Sequence, residues 1–275
     1  MARVGQPGRT PTRITSRFLA QLKPQLTERD LAIAETVGRF KLATATQLQR
    51  LFFVQYEQDG VTLMYSEKSR ARNRQAVLKR LTEHRVLARI GERGRGGPIG
   101  GSASYVYALD IAGQALTSFS ERPRRPYVPY DPSIEHYLAI TDLYVQLVEA
   151  DRANEVTLLA FDTEPYCHRT FGHRTLKPDA FVQLGLEHAG QRRKRSYFIE
   201  VDRGTQYGAK ISTKIPQFLA YHNWPDRDGI FPLVVLLTRT ERRASYLRGV
   251  VAGFNNQQKL FCVDQLEAPV AKWIS

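Results

Sequence analysis

Apolar residues in the first third of the chain recur at helical spacing in three separate stretches. The first opens at Thr27, a residue suited to cap a helix N-terminus. It sets Leu31, Ile33, Ala34 and Val37 on one face and ends near Arg39. Thr44 opens the second. Gln47 three residues on completes a Thr-x-x-Gln capping box, and Leu48, Leu51 and Phe52 form the apolar stripe. So short a connection between two short helices predicts half of a helix-turn-helix. In the third stretch, Ser66–Arg85, Ala71, Val77, Leu78 and Leu81 share one face of a helical wheel. Arg72, Asn73, Ala76, Lys79 and Arg80 lie opposite, and Arg70 and Arg74 sit near the edge of the apolar face.

The pattern then changes period. Val86–Ile90 and Tyr105–Leu109 are β-branched and aromatic runs flanking the glycine-rich stretch Gly91–Gly101, which predicts a hairpin with a long tip. With a short helix from about Ile111 to Phe119, the order of helix, helix, helix, hairpin and helix is that of a winged helix. Ser120–Pro132 holds four prolines and predicts an interdomain linker. The remainder reads α-β-β-β-α-β-α-β. A long apolar helix covers about Ser133–Arg152, with strands at Val156–Phe161, Asp179–Leu184, Tyr197–Val201, Phe231–Leu237 and Leu260–Val263. Helices are expected at Tyr207–His222 and Arg242–Phe254, with Pro216 kinking the former or marking a new start. The polar turn before Tyr197 contains the run Arg192–Arg195. This gives a basic arm over residues 1–25, a winged-helix domain over 26–119, a linker over 120–132 and an α/β domain with a central mixed sheet over 133–275.

Charge sharpens the picture. The formal net charge is +13, and residues 1–130 carry 22 Lys and Arg against 10 Asp and Glu, whereas residues 131–275 carry 18 against 17. Such a split is expected if one half touches a polyanion and the other does something else. Basic residues early in the third helix also oppose its dipole, which favours acids there, and so point to an anionic partner. No apolar run reaches the ~20 residues of a membrane span. The N-terminus lacks the apolar stretch of a secretory signal, although its Arg, Ser and Thr content leaves a transit peptide open. Two cysteines give no disulfide framework, so a cytoplasmic location is expected.

These features predict binding to double-stranded DNA. A helix fits the major groove, where Arg reads guanine and Asn reads adenine. Arg72, Asn73 and Arg80 are the candidates for base edges, Arg70, Arg74 and Lys79 for phosphates, and Arg93 and Arg95 at the wing tip for backbone or minor groove. The glycine run joins strand to strand rather than strand to helix, which argues against a nucleotide-binding loop. Cys167, His168 and His173 are one ligand short of a structural zinc site, so a polar loop is the better reading.

A sharper pattern lies in Pro178-Asp179 at a strand start and Glu200-Val201-Asp202 at the end of the next. The period of two puts Glu200 and Asp202 on one face, and a hairpin would bring Asp179 beside them. Three carboxylates together repel, so the cluster suits Mg²⁺ or Mn²⁺, which could activate water and stabilise charge on a phosphodiester. Salt bridges to local arginines are the alternative.

At these residues the chain resembles the bacterial replication-relaxation family, associated with plasmids and other mobile elements. The matching stretches are LTERDLAI, ATQLQRLFF, SRARNRQAVLKRLTEHRVLARI, SYVYALDIAGQAL, EHYLAITDLYVQLVEA, KPDAF and FIEVDRGT. The resemblance implies a winged helix followed by a PD-(D/E)xK restriction-endonuclease-like core, with Asp179 and Glu200 as metal ligands. The motif expects Lys where this chain has Asp202. In some relatives of that fold the lysine comes from the following helix, where Lys210 and Lys214 lie, and Lys214 better matches the spacing. Glu135 would be the accessory acid. Two readings stay open: a metal-dependent nuclease or nicking factor, and a non-catalytic initiator, accessory factor or repressor with a degenerate nuclease fold. Other replication or mobilisation proteins are expected partners in either case. No sequence feature establishes the homodimer that winged helices often form.

Overall fold

The structure is a computed structural model. It describes residues 14–58, 61–92, 104–117, 131–188, 191–202, 209–227, 229–254 and 257–268. The wing-tip residues Arg93 and Arg95, nearly all of the proline-rich stretch and the first part of the basic arm lie outside these. The described residues form a mixed α/β structure in two compact units, Met1–Thr141 and Asp142–Ser275. No helix among them is long and apolar enough to cross a membrane.

Unit 1 begins with α1 (Ser16–Leu22), inside the stretch read from sequence as an arm. Phe18, Leu19 and Leu22 pack against the unit's core, which is why the chain is ordered there. Then come α2 (Glu28–Phe40), β1 (Ala43–Thr44), α3 (Ala45–Phe52), β2 (Gln55–Gln58), β3 (Val61–Met64), α4 (Glu67–Glu83), β4 (Leu87–Glu92), β5 (Tyr105–Leu109) and α5 (Ile111–Leu116). The caps behave as the sequence suggested. Thr27 and Asp30 form a reciprocal capping box at α2, Thr44 and Gln47 another at α3, and the Ser66 hydroxyl caps α4. Strand β5 lies between β1 and β4, antiparallel to both. The β2–β3 hairpin fills the stretch between α3 and α4, for which the sequence pattern gave no element.

Ile33, Val37, Leu48, Leu78, Leu81 and Leu87 fill the unit-1 core. Helix α6 (Asp131–Arg152) contributes its first half to this unit. Leu138 packs on Leu42, Val106 and Ala108, and its carbonyl accepts the Gln47 amide at 2.8 Å. Thr141 Oγ1 donates to the Leu42 carbonyl at 2.8 Å.

In unit 2, the second half of α6 precedes β6 (Thr157–Thr163), a small hairpin of β7 (Arg169–Phe171) and β8 (Arg174–Leu176), β9 (Ala180–His188) and β10 (Gln191–Asp202). Helix α7 (Ala209–His222), β11 (Leu233–Thr238), α8 (Glu241–Ala252) and β12 (Phe261–Gln265) complete it. The five-stranded sheet has the order β12-β11-β10-β9-β6. The β6–β9–β10 half is antiparallel and the β10–β11–β12 half parallel, so the expected mixed sheet is present. The parallel strands need crossovers, which α7 and α8 supply. Helix α7 runs through Pro216 without ending there. Phe198, Phe218, Leu236, Leu247 and Phe261 are buried together between sheet and helices.

Two helical glycines have opposite surroundings. A Cβ on Gly113 of α5 would lie 2.2 Å from the Val86 carbonyl oxygen, whereas one on Gly249 of α8 would meet nothing within 4 Å. Gly113→Ala must displace backbone and is expected to lower the thermal midpoint clearly. Gly249→Ala is expected to raise stability by up to ~1 kcal/mol, through helix propensity alone. Chemical denaturation of the two variants beside the parent checks both signs.

Candidate functional site

Strands β9 and β10 stay paired until Ala180 opposite Ile199, and part just beyond. Asp179 sits at that fork. Its N–H donates to the Ile199 carbonyl at 3.0 Å, and its Oδ2 accepts the Val201 N–H at 2.8 Å. The carboxylate thus satisfies an amide that a longer β9 would have received. Glu200, the next residue of β10 past the ladder, is only 3% exposed. Both acids are therefore fixed by the backbone that carries them.

Lys214 reaches this pair from α7. Its Nζ makes a short ion pair with Glu200 Oε2 and stands 3.4 Å from Asp179 Oδ1. Burial, and then the Asp179 charge, push the Glu200 carboxyl well above the usual carboxylate range, and Lys214 only partly opposes them. Burial works against the Lys214 charge too, but the two carboxylates outweigh it and hold its ammonium above the ordinary lysine value. Glu200 Oε1 is buried with no hydrogen-bond partner among the described residues.

Asp202 does not join this cluster. Its Oδ2 takes the Arg243 Nε at 2.5 Å, the kind of arginine ion pair that the sequence reading held as its alternative, here to a partner on α8. No group of three or more metal-binding side chains occurs among the described residues, so the donor set here is two carboxylates. That set suits Mg²⁺, which binds through one or two carboxylates and keeps several waters. The unpartnered Glu200 Oε1 is an oxygen of the right kind. Nearby, burial and then Glu164 push the Cys167 thiol up to about 12, so it stays protonated and donates to the Pro178 carbonyl at 3.0 Å. Cys167, His168 and His173 form no metal-binding group among the described residues, and His168 lies 3.6 Å from Glu164.

The basic residues of α4 divide into two sets. Arg72 and Lys79 face solvent, beside Lys68 and Gln75, which the sequence reading left out. Asn73 is half-buried. Arg70 pairs with Glu67 at 3.3 Å, and Arg74 donates to Gln49 Oε1 at 2.8 Å. Arg80, chosen from sequence as a base reader, turns inward. Its Nη2 contacts both oxygens of Asp30 at 2.8 and 2.7 Å, and Asp30 is wholly buried. The wheel placed Arg80 on the polar face, and only the tertiary fold shows its acid, 50 positions away.

A family model described as replication-relaxation matches residues 35–234. The chain belongs to the replication-relaxation family. Searches of the curated proteins and of the solved structures returned no match. The matched stretch of this family member contains α4, the β9–β10 fork and Lys214.

Two stability tests follow from these pairings. Arg80→Ala strands a buried carboxylate and is expected to cost about 3 kcal/mol. Arg72→Ala, on the solvent face, should stay within about 0.5 kcal/mol of the parent. For the fork, a Glu200 carboxyl raised above its unfolded value stabilises the fold below the unfolded pKa, and that stability is lost as pH rises. Lys214→Met removes the group opposing this rise, so its deficit in urea unfolding should be larger at pH 8 than at pH 5. Adding Glu200→Gln should recover most of it. A deficit independent of pH would contradict this account.

Proposed function

We propose that this replication-relaxation protein binds duplex DNA through a winged helix in unit 1 and hydrolyses a phosphodiester at a restriction-endonuclease-like site in unit 2. The reading rests on one observation above all. Where position 202 holds an acid instead of the motif's lysine, Lys214 of α7 brings an ammonium group onto Asp179 and Glu200. Two buried carboxylates and a lysine converging at the mouth of an αβββαβ sheet make a familiar arrangement for metal-assisted phosphodiester hydrolysis. The fold order supports this reading as an analogy, and the site supports it as chemistry.

Asp179 and Glu200 would hold Mg²⁺ or Mn²⁺, which supplies Lewis-acid stabilisation of charge on the phosphoryl oxygens when bound. Asp179 is locked by the Val201 amide, so one of its oxygens keeps a fixed direction. Lys214, free of the covalent backbone of β10, presents its ammonium to the attacking water or to a phosphate oxygen and offsets the charge that develops there. Arg243 neutralises Asp202 and keeps that acid from repelling the incoming phosphate.

In unit 1 the order α2, β1, α3, α4, β4, β5, with the β2–β3 hairpin inserted between α3 and α4, supports a winged helix with α4 as the element for the major groove. Its outward face then gives Arg72 the base-reading role and Lys68 and Lys79 phosphate contacts. Arg80 serves the fold instead.

The deciding experiment incubates the full chain with supercoiled plasmid carrying its own origin region, with Mg²⁺ or Mn²⁺ against EDTA. Nicked or linear product is expected only with metal, and Asp179→Ala is expected to abolish cleavage while DNA binding persists. Arg72→Ala with Lys79→Ala should weaken binding and leave the fold intact. A retarded complex without cleavage under any metal would replace this reading with a non-catalytic initiator, accessory factor or repressor. No retardation at low salt would overturn it altogether.

A further inference from the structure

Strand β6 ends at Thr163, opposite Ala180, and the β7–β8 hairpin intervenes before the chain returns as Asp179 and β9. The hairpin therefore leaves and rejoins the sheet at the fork. Arg169 opens it, opposite Leu176, which precedes Asp179 by three residues.

The Arg169 side chain is partly buried and folds back onto the sheet. Its guanidinium carbon stands 4.6 Å from the centre of the Phe181 ring and 5.9 Å from that of Phe198. These two rings lie opposite each other on β9 and β10, 5.7 Å apart. Phe198 also meets Phe218 of α7, so this is the face that α7 covers. Strand alternation makes Asp179 the next residue of that face beyond Phe181, and Glu200 the next beyond Phe198. Lys214 of α7 touches both acids, which puts them on it together. Two residues along a strand span ~6.6 Å, so Arg169 stacks one cross-strand pair inward from the carboxylates.

Only part of the guanidinium is engaged. Nη1 donates to the carbonyls of Tyr166 and His168, at 3.2 and 3.0 Å. The rings beneath fix its plane, and the carbonyls beside it fix its rotation. Nε and Nη2 make no hydrogen bond or ion pair among the described residues, yet neither is sealed from solvent. That edge is a parallel pair of charged donors, the geometry that takes two oxygens of a phosphate.

We propose that Arg169 binds the DNA phosphate that enters the fork, its Nε–Nη2 edge donating to the non-bridging oxygens while Lys214 approaches from α7. This deepens the phosphodiester reading above and rests on it. Arg169 also pins the 164–168 turn to the sheet. Nη1 and the ring stacking do all of that, and they leave the other edge without a task.

The test has one readout without chemistry and one with it. In the full chain with Ca²⁺, the Nε–H proton–nitrogen cross-peak assigned by its absence from R169K should shift when a short duplex is added. In single-turnover cleavage of the origin plasmid with Mn²⁺, R169K is expected to be slowed at least ~100-fold, with duplex affinity within about threefold of the parent. Lysine keeps a charge and a donor for the turn, so the thermal midpoint of R169K should stay close to the parent's. A parent that binds duplex with no shift of this cross-peak overturns the Arg169 contact alone. An R169K variant that cleaves as fast as the parent does the same, as does one slowed only in proportion to a fallen midpoint. A shift without cleavage under either metal upholds the contact and overturns the hydrolysis reading. A parent that does not bind duplex overturns both.

Discussion

Two buried carboxylates at one fork repel each other unless a cation sits with them or one keeps its proton, and this constraint shapes the fork of unit 2. Asp179 is drawn to the fork because the Val201 amide needs an acceptor once β9 and β10 part. Glu200 is drawn there by strand alternation and by the parallel pairing that holds its backbone to Leu236. Each placement is cheap by itself, but together they concentrate negative charge in a site that water barely reaches. Helix α7 resolves the conflict by bringing Lys214 across the mouth of the fork. The position of that helix, and hence the crossover to β11, is tied to the electrostatics of two residues.

The same economy appears in unit 1, where arginines are divided between scaffold and surface. Arg80 and Asp30 join α4 to α2, and Asp30 already accepts the Thr27 amide of its own capping box. One acid thereby closes a helix end and anchors a second helix. Arg74 and Arg70 similarly engage Gln49 and Glu67, which leaves Arg72, Lys68 and Lys79 on the outward face of α4, Lys79 standing 3.9 Å from Glu83. A polyanion approaching this helix meets fewer cations than the sequence advertises, but they are borne by a helix whose rotation is fixed.

What the sequence made legible was local. Thr27, Thr44 and Gln47 announce helix starts because capping acts within four residues, and continuous apolar runs such as Leu233–Leu237 announce buried strands. Lys214 was named only through the family resemblance, which implies a lysine on the helix that follows Glu200. The partners of Arg80 and Asp202 were not legible, since Asp30 and Arg243 lie 50 and 41 positions away and no periodicity points to them. The hairpins β2–β3 and β7–β8 escaped because strands of three or four residues carry too little alternation to stand out from a polar loop.

Pro216 has a consequence for how the lysine is carried. A proline has no amide hydrogen, so the carbonyl of Ser212 lacks the rung that would tie the first turns of α7 to those beyond. The turn bearing Lys214 is consequently less stitched to the remainder of its helix than its length suggests. Phe218 and Leu219, by contrast, seat the far end of the helix in the core.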